Sequence, residues 1–237
     1  MTLRLVAIVA LLAGAGMLVA YLHLVGKGPL SSREARHLRA MKDRAATPSR
    51  VEPAVFADFT AFPDSVPLAS YAPIERRGAS LEGYVQRMHY ATDGDYHLEF
   101  TPLARMAGMP DTVYVSCEVT PQLRAGRAGW DFESLAAELR PVHRDGLAWE
   151  TPPRRVRLSG WLLYDNPYAE NEALPTTLRW AWKRFGLGLH LALGEEIPLW
   201  NRMSWWEIHP VTRIEVWDEA RGAWRDVGGA LAAGAGS

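Results

Sequence analysis

Five short runs of alternating or β-branched residues, with one helix-periodic stretch between the third and the fourth, constrain this 237-residue chain more than any other feature. The runs are LEGYVQRMHY (81–90), DYHLEFT (95–101), TVYVSCEVT (112–120), RRVRLSGWLLYD (154–165) and VTRIEVWD (211–218). Ala91-Thr92-Asp93-Gly94 joins the first two, and Asp-Gly suits the positive φ that a tight reversal needs. In the third run Val113, Val115, Cys117 and Val119 share one face, while Tyr114, Ser116 and Glu118 share the other. Cys117 therefore reads as a small buried hydrophobe rather than a reactive thiol, and a lone cysteine makes no internal disulfide. In WDFESLAAELR (130–140) Asp131 caps, Glu133 sits in the first turn, and Phe132, Leu135, Ala136 and Leu139 recur at helical spacing.

Three strands, a helix and two further strands form the order of a mainly β, five-stranded OB-like Greek-key barrel with the helix as its plug. The spacing places this barrel at 79–227, with an insertion over 166–210 and a small-residue tail over 228–237. The insertion holds five of the ten tryptophans, and Leu178, Trp182 and Phe185 give it a helical stripe. Those rings either cover a core or dip into a headgroup layer beside Lys183 and Arg184. Trp161 on the fourth run is a candidate core ring whose loss would then cost about 3–5 kcal/mol.

Upstream, composition changes twice. Leu5 to Val25 is a run of 21 residues without Asp, Glu, Lys or Arg, which as a helix spans roughly 31 Å and predicts a transmembrane anchor within 1–26. Its length, and the lack of a small-x-small site after it, favour an uncleaved anchor over a signal peptide. Residues 27–78 read as a juxtamembrane linker, first basic and then proline-rich, with prolines at 48, 53, 63, 67 and 73 forbidding long helices and with Phe56, Phe59, Phe62 and Tyr71 expected to pack onto another part of the chain. The basic part, SSREARHLRAMKDRA, can continue as a helix and can meet anionic lipid headgroups. The formal charge of −1 resolves into +1 over 1–26, +5 over 27–50 and −7 over the remainder. Lys and Arg crowd the C-terminal side of the apolar run, which by the positive-inside rule keeps the following domain cytoplasmic. With 48% hydrophobic and 22% charged residues, the chain is neither a disordered polymer nor a collagen, a disulfide scaffold or a multi-span transporter. A net of −7 opposes nucleic-acid binding, because counterion release needs concentrated basic charge. Membrane lipid, and then a protein, are the expected partners.

Two polar motifs remain. Asp95 and His97 lie two apart, as do Glu207 and His209, so on strands each pair projects from one face. Brought together, the four would supply two carboxylates and two imidazoles for a ligand, for a divalent metal or for proton transfer near neutral pH. The structural alternative has Asp95 satisfying turn amides and the histidines bonded within a buried network. Side chains more than ~8 Å apart would exclude a shared metal, since zinc ligands lie ~2.0–2.3 Å from one ion. No metalloprotease, paired-cysteine or nucleophile-elbow motif occurs, so no catalytic residue and no cofactor beyond such a metal is expected.

The blocks GYV followed by GDYHLEF (94–100), VRLSGWLLYD (156–165) and WEIHPVTRIEV (206–216) resemble an uncharacterised bacterial family of OB-fold-like domains with GDYH and WEIHP motifs. The resemblance covers roughly 81–218, matches Gly94, Asp95, His97, Glu207, His209 and Pro210, and implies a fold without an activity. With a bacterial family resemblance beside it, the apolar run 5–25 is expected to pass once through a bacterial inner membrane. A remoter likeness to staphylococcal-nuclease-type barrels brings no chemistry, as that group's catalytic arginines and carboxylates have no counterparts here. The expected function is a membrane-tethered binding or assembly module. The alternatives are a metal-dependent hydrolase using the four-residue cluster, nuclease- or phosphoesterase-like, and a purely structural envelope protein.

Overall fold

The computed structural model describes residues 33–64, 66–91, 93–104, 113–144, 147–148, 152–165 and 202–228, and falls into two compact units. The apolar run 5–25, the span 166–201 of the expected insertion, and tail residues 229–237 lie outside the described residues. No helix among the described residues is long and apolar enough to cross a membrane.

The first unit comprises 1–43 and 166–197, and its described part is helix α1, Arg33–Lys42. Glu34 lies in its first turn and Arg39 and Lys42 in its last, the arrangement the helix dipole favours. Ala35 and Leu38, three apart, are its buried residues.

The second unit, 44–165 with 198–237, holds a closed five-stranded mixed β-barrel. After the short strand β1 (Val51–Ala54) and the single-turn helices α2 (Phe56–Ala61) and α3 (Leu68–Tyr71) come β2 (Gly78–Tyr90), β3 (Tyr96–Thr101) and β4 (Val115–Val119). Then follow α4 (Pro121–Arg124), α5 (Phe132–Leu139), the two-residue strands β5 (His143–Arg144) and β6 (Leu147–Ala148), β7 (Val156–Tyr164), β8 (Trp206–Asp218) and β9 (Ala223–Asp226). The ring runs β2-β3-β4-β8-β7 and closes on β2; β4 and β8 are parallel, whereas the other joins in the ring are antiparallel. A register shift between Val85 and Arg87 lets β2 pair β7 through its first half and β3 through its second.

The expected helix forms as α5: Asp131 accepts the Ser134 amide at 2.9 Å, and Phe132, Leu135, Ala136 and Leu139 are all buried. Leu81, Leu98, Val115, Cys117, Leu158, Leu162, Ile208 and Ile214 fill the core from all five barrel strands. Burial pushes the Cys117 thiol well above its usual pKa, so it stays protonated and inert.

Three expectations need correction. Residues 44–77, read above as linker, belong to the second unit: Phe59 and Tyr71 are buried, and Phe62 lies 5.1 Å from the Trp206 ring. Its prolines forbid long helices but not single turns, and its aromatics recover the cost of ordering by burial. The WEIHP residues open β8 instead of ending the insertion, because Trp206 and Ile208 share the core face with Ile214 beyond a register shift at Gly160. Trp161 is half-buried, lies 4.9 Å beneath the Arg44 guanidinium and donates to Ala46 O at 2.7 Å; it is not a core ring.

Gly160 marks a close approach of β7 and β8, for a Cβ there would run into the Pro210 carbonyl oxygen and lie 2.8 Å from an Ile208 methyl. Gly160→Ala should therefore cost about 1–3 kcal/mol, read from the urea midpoint. An unchanged midpoint would mean the strands part without penalty.

Candidate functional site

Asp93 and Asp95 divide the labour at the β2–β3 turn. Gly94 takes φ +92°, and Asp93 Oδ1, not Asp95, accepts the amide of residue 95 at 3.2 Å. The Asp95 carboxylate lies 3.9 Å from His209 Nε2. His97 follows on β3, and Glu207 and His209 on β8, so the four sequence-derived residues converge.

Their common partner is Glu118 on β4, which the sequence reading did not select. One of its oxygens accepts from His209 Nδ1 at 2.8 Å, and the other meets His97 Nε2 in a very short contact. Cross-strand pairing explains the encounter: His97 stands directly opposite Glu118, while Cys117, next to Glu118, pairs with Ile208, next to His209. Glu207 Oε1 lies 3.5 Å from His209 Nδ1, and Glu207 Oε2 accepts from Arg202 at 2.6 Å. Arg202 also reaches Asp165 at 3.3 Å.

Most of this is removed from solvent: Glu207 and His209 are wholly buried and Glu118 is 2% exposed, whereas the His97 and Asp165 side chains, 25% and 22% exposed, reach the surface. Burial works to raise the Glu118 pKa, but the charges and hydrogen bonds of His97 and His209 outweigh it and hold the carboxyl well below the usual range. Burial likewise works to strip the Arg202 proton, and Glu207, Asp165 and Glu118 together hold its pKa above the ordinary value. Further along the same polar side, Gln86 donates to Glu99 at 3.0 Å, and burial, then Glu99, push the Tyr114 hydroxyl up to about 12.

Because His209 turns Nδ1–H toward Glu118, its Nε2 is the atom presented to Asp95. That 3.9 Å separation is too long for a hydrogen bond, whereas an ion with bonds of ~2.0–2.2 Å to each group would bridge it. Candidate ligand atoms of Asp95, Glu118 and His209 all lie within 4.8 Å of one another. A carboxylate behind the ligating imidazole is the arrangement that fixes a ring for metal binding.

No family model matches the chain, and neither a curated protein nor a solved structure matches it.

Proposed function

We propose that the barrel is an OB-type binding module whose ligand face carries a divalent-cation site with Asp95 and His209 as ligands and Glu118 holding the His209 ring from behind. Support for the OB assignment comes from the ring order, the single parallel join and the position of α5 between the third and fourth barrel strands. In that architecture ligands are taken on the face of strands two and three and by the loops joining strands one to two and four to five. His97 and Glu118 stand on those two strands, Asp95 in the first loop, and Glu207 and His209 where the other loop enters β8. The observation that carries the cation is the imidazole Nε2 facing a carboxylate across 3.9 Å with Glu118 fixing the ring behind it. The uncharged run 5–25 is the reason for placing this module at a membrane. Arg154, Arg155 and Arg157, the nearest approach to a basic cluster, are paired with Glu138, Glu82 and Glu215, which argues against a nucleic-acid groove.

Calorimetric titration of the full chain with Zn²⁺ and with Mn²⁺ should give one ion per chain. Asp95→Asn, a turn substitution that preserves the barrel core, should weaken binding about 10- to 100-fold, and His209→Ala should abolish it. Saturable binding that survives both substitutions, or none by the unaltered chain, overturns the site. The His97–Glu118–His209 relay favours one further reading, metal-dependent hydrolysis, in which the imidazoles move protons. It requires turnover of a phosphodiester probe that depends on both the metal and His209.

A further inference from the structure

A second polar site lies on another side of the barrel. A cavity of about 480 Å³ opens beside β2, β7 and β8, walled by Pro48 and Val51 on one side and by Arg127 and Trp130 on another. Strand register brings Ser80, Ser159 and Arg213 into one lateral row along it, with Arg157 and Glu215 in the next.

Charge in the cavity does not cancel locally. Glu215 is clasped by Arg157 through two hydrogen bonds of 2.7 and 2.8 Å, and Asp226 by Arg213 through two of 2.8 Å. Both carboxylates are thereby hydrogen-bonded, and the third arginine, Arg127, feels the charge of Asp226, which Arg213 already clasps, so three arginines face two carboxylates. Its guanidinium stacks 4.2 Å over Trp130 and donates Nη1 to Thr212 O at 2.8 Å, and its Nε–H is buried without a hydrogen-bond partner. The Trp130 ring is itself fixed by a 2.7 Å bond from Nε1 to Val227 O, so this platform is preorganised. A buried guanidinium N–H without an acceptor is costly, and an anionic oxygen would relieve it with a charge-assisted bond. The Ser80 and Ser159 hydroxyls offer two further donors on the same wall.

We propose that this cavity binds a small organic oxyanion, whose carboxylate or phosphate head is taken by the Arg127 guanidinium with Ser80 and Ser159 and whose apolar body lies against Pro48, Val51 and Val227. The volume carries the second half of the statement, since it falls in the range of about 300–1,000 Å³ that small organic ligands occupy and far exceeds a bare inorganic ion. The surplus positive charge carries the first half.

Titrating the full chain calorimetrically with phenyl phosphate, benzoate and inorganic phosphate tests this. One saturable site for phenyl phosphate or benzoate is expected, weakened about tenfold or more in Arg127→Gln. Preference between the two probes identifies the head group, and inorganic phosphate should bind weakest. No saturable heat with either organic probe up to about 10 mM overturns the proposal. So does an unchanged affinity in Arg127→Gln whose circular dichroism matches the unaltered chain. Should that variant fail to fold, Ser159→Ala decides: weakening by several-fold supports the site and unaltered binding removes it.

Discussion

Replacing Glu118 with alanine is expected to lower the unfolding free energy by about 3–5 kcal/mol at pH 7, the usual cost of leaving buried charged partners without their counter-ion. The residue is 2% exposed, bonded to His209 through one oxygen and in contact with His97 through the other, so its removal takes the carboxylate from one buried imidazole and one partly exposed one. The effect carries a pH signature. Although burial opposes it, the His97 and His209 charges depress the folded-state pKa, so Glu118 stabilises the fold at pH values above its unfolded pKa of about 4.3. That contribution is lost as pH falls through the depressed folded value. Urea melts of both chains should therefore show a gap that is full at pH 7 and shrinks once the pH drops below about 4. A gap under about 1 kcal/mol at pH 7, or one that is the same at about pH 3, would show that the network contributes no net charge stabilisation.

Trp206→Ala is expected to cost about 3–5 kcal/mol, with Trp161→Ala on the neighbouring strand costing about 1–2 kcal/mol. Trp206 is wholly buried, donates to Pro63 O at 2.8 Å, and lies between Phe62 and Tyr164 at 5.1 and 5.3 Å. Removing it empties a space between two other chain segments, 62–63 and β7, and rigid walls collapse poorly into such a cavity. Trp161 stands on the opposite side of its strand, half in water, and loses one hydrogen bond and a cation–π contact. Denaturant midpoints of the two variants should differ clearly. Equal losses would mean that the 44–77 segment binds its aromatics no more tightly than the barrel's exterior does.

What the sequence revealed follows from the range of the forces involved. Strand alternation, the Asp-Gly turn and the Asp131 cap are set within a few residues, so the five barrel strands and α5 were legible with shifted ends. The pairing of Asp95 with His97 and of Glu207 with His209 was legible as period two. That the two pairs converge was not, since it depends on the parallel join of β4 and β8, which no local pattern encodes. Glu118 escaped for the same reason. Alternation put it opposite Cys117, on the side where polar residues usually meet water, whereas in the fold it is 2% exposed and in contact with His97 and His209 from the two flanking strands. The sole hint was a carboxylate facing outward in an otherwise apolar run. Arg202 carried no signal at all, lying before β8 where the sequence pattern predicts only insertion. Residues 44–77 misled because prolines read as linker, whereas short aromatic turns bind a barrel as well as any helix.

The join between β4 and β8 has a consequence for how the barrel stays shut. Its ladder consists of one parallel pair, Cys117 with Ile208, flanked by an isolated bridge from Tyr114 to Arg202. His209 on β8 and Glu118 on β4 cross this same join with a side-chain bond, and His97 on β3 meets the other oxygen of Glu118. The last seam of the cylinder is thus laced by ionisable groups where a full ladder would otherwise run. Whatever occupies or titrates those atoms acts as a clasp, and the same few bonds that would hold a ligand also decide whether the wall is continuous.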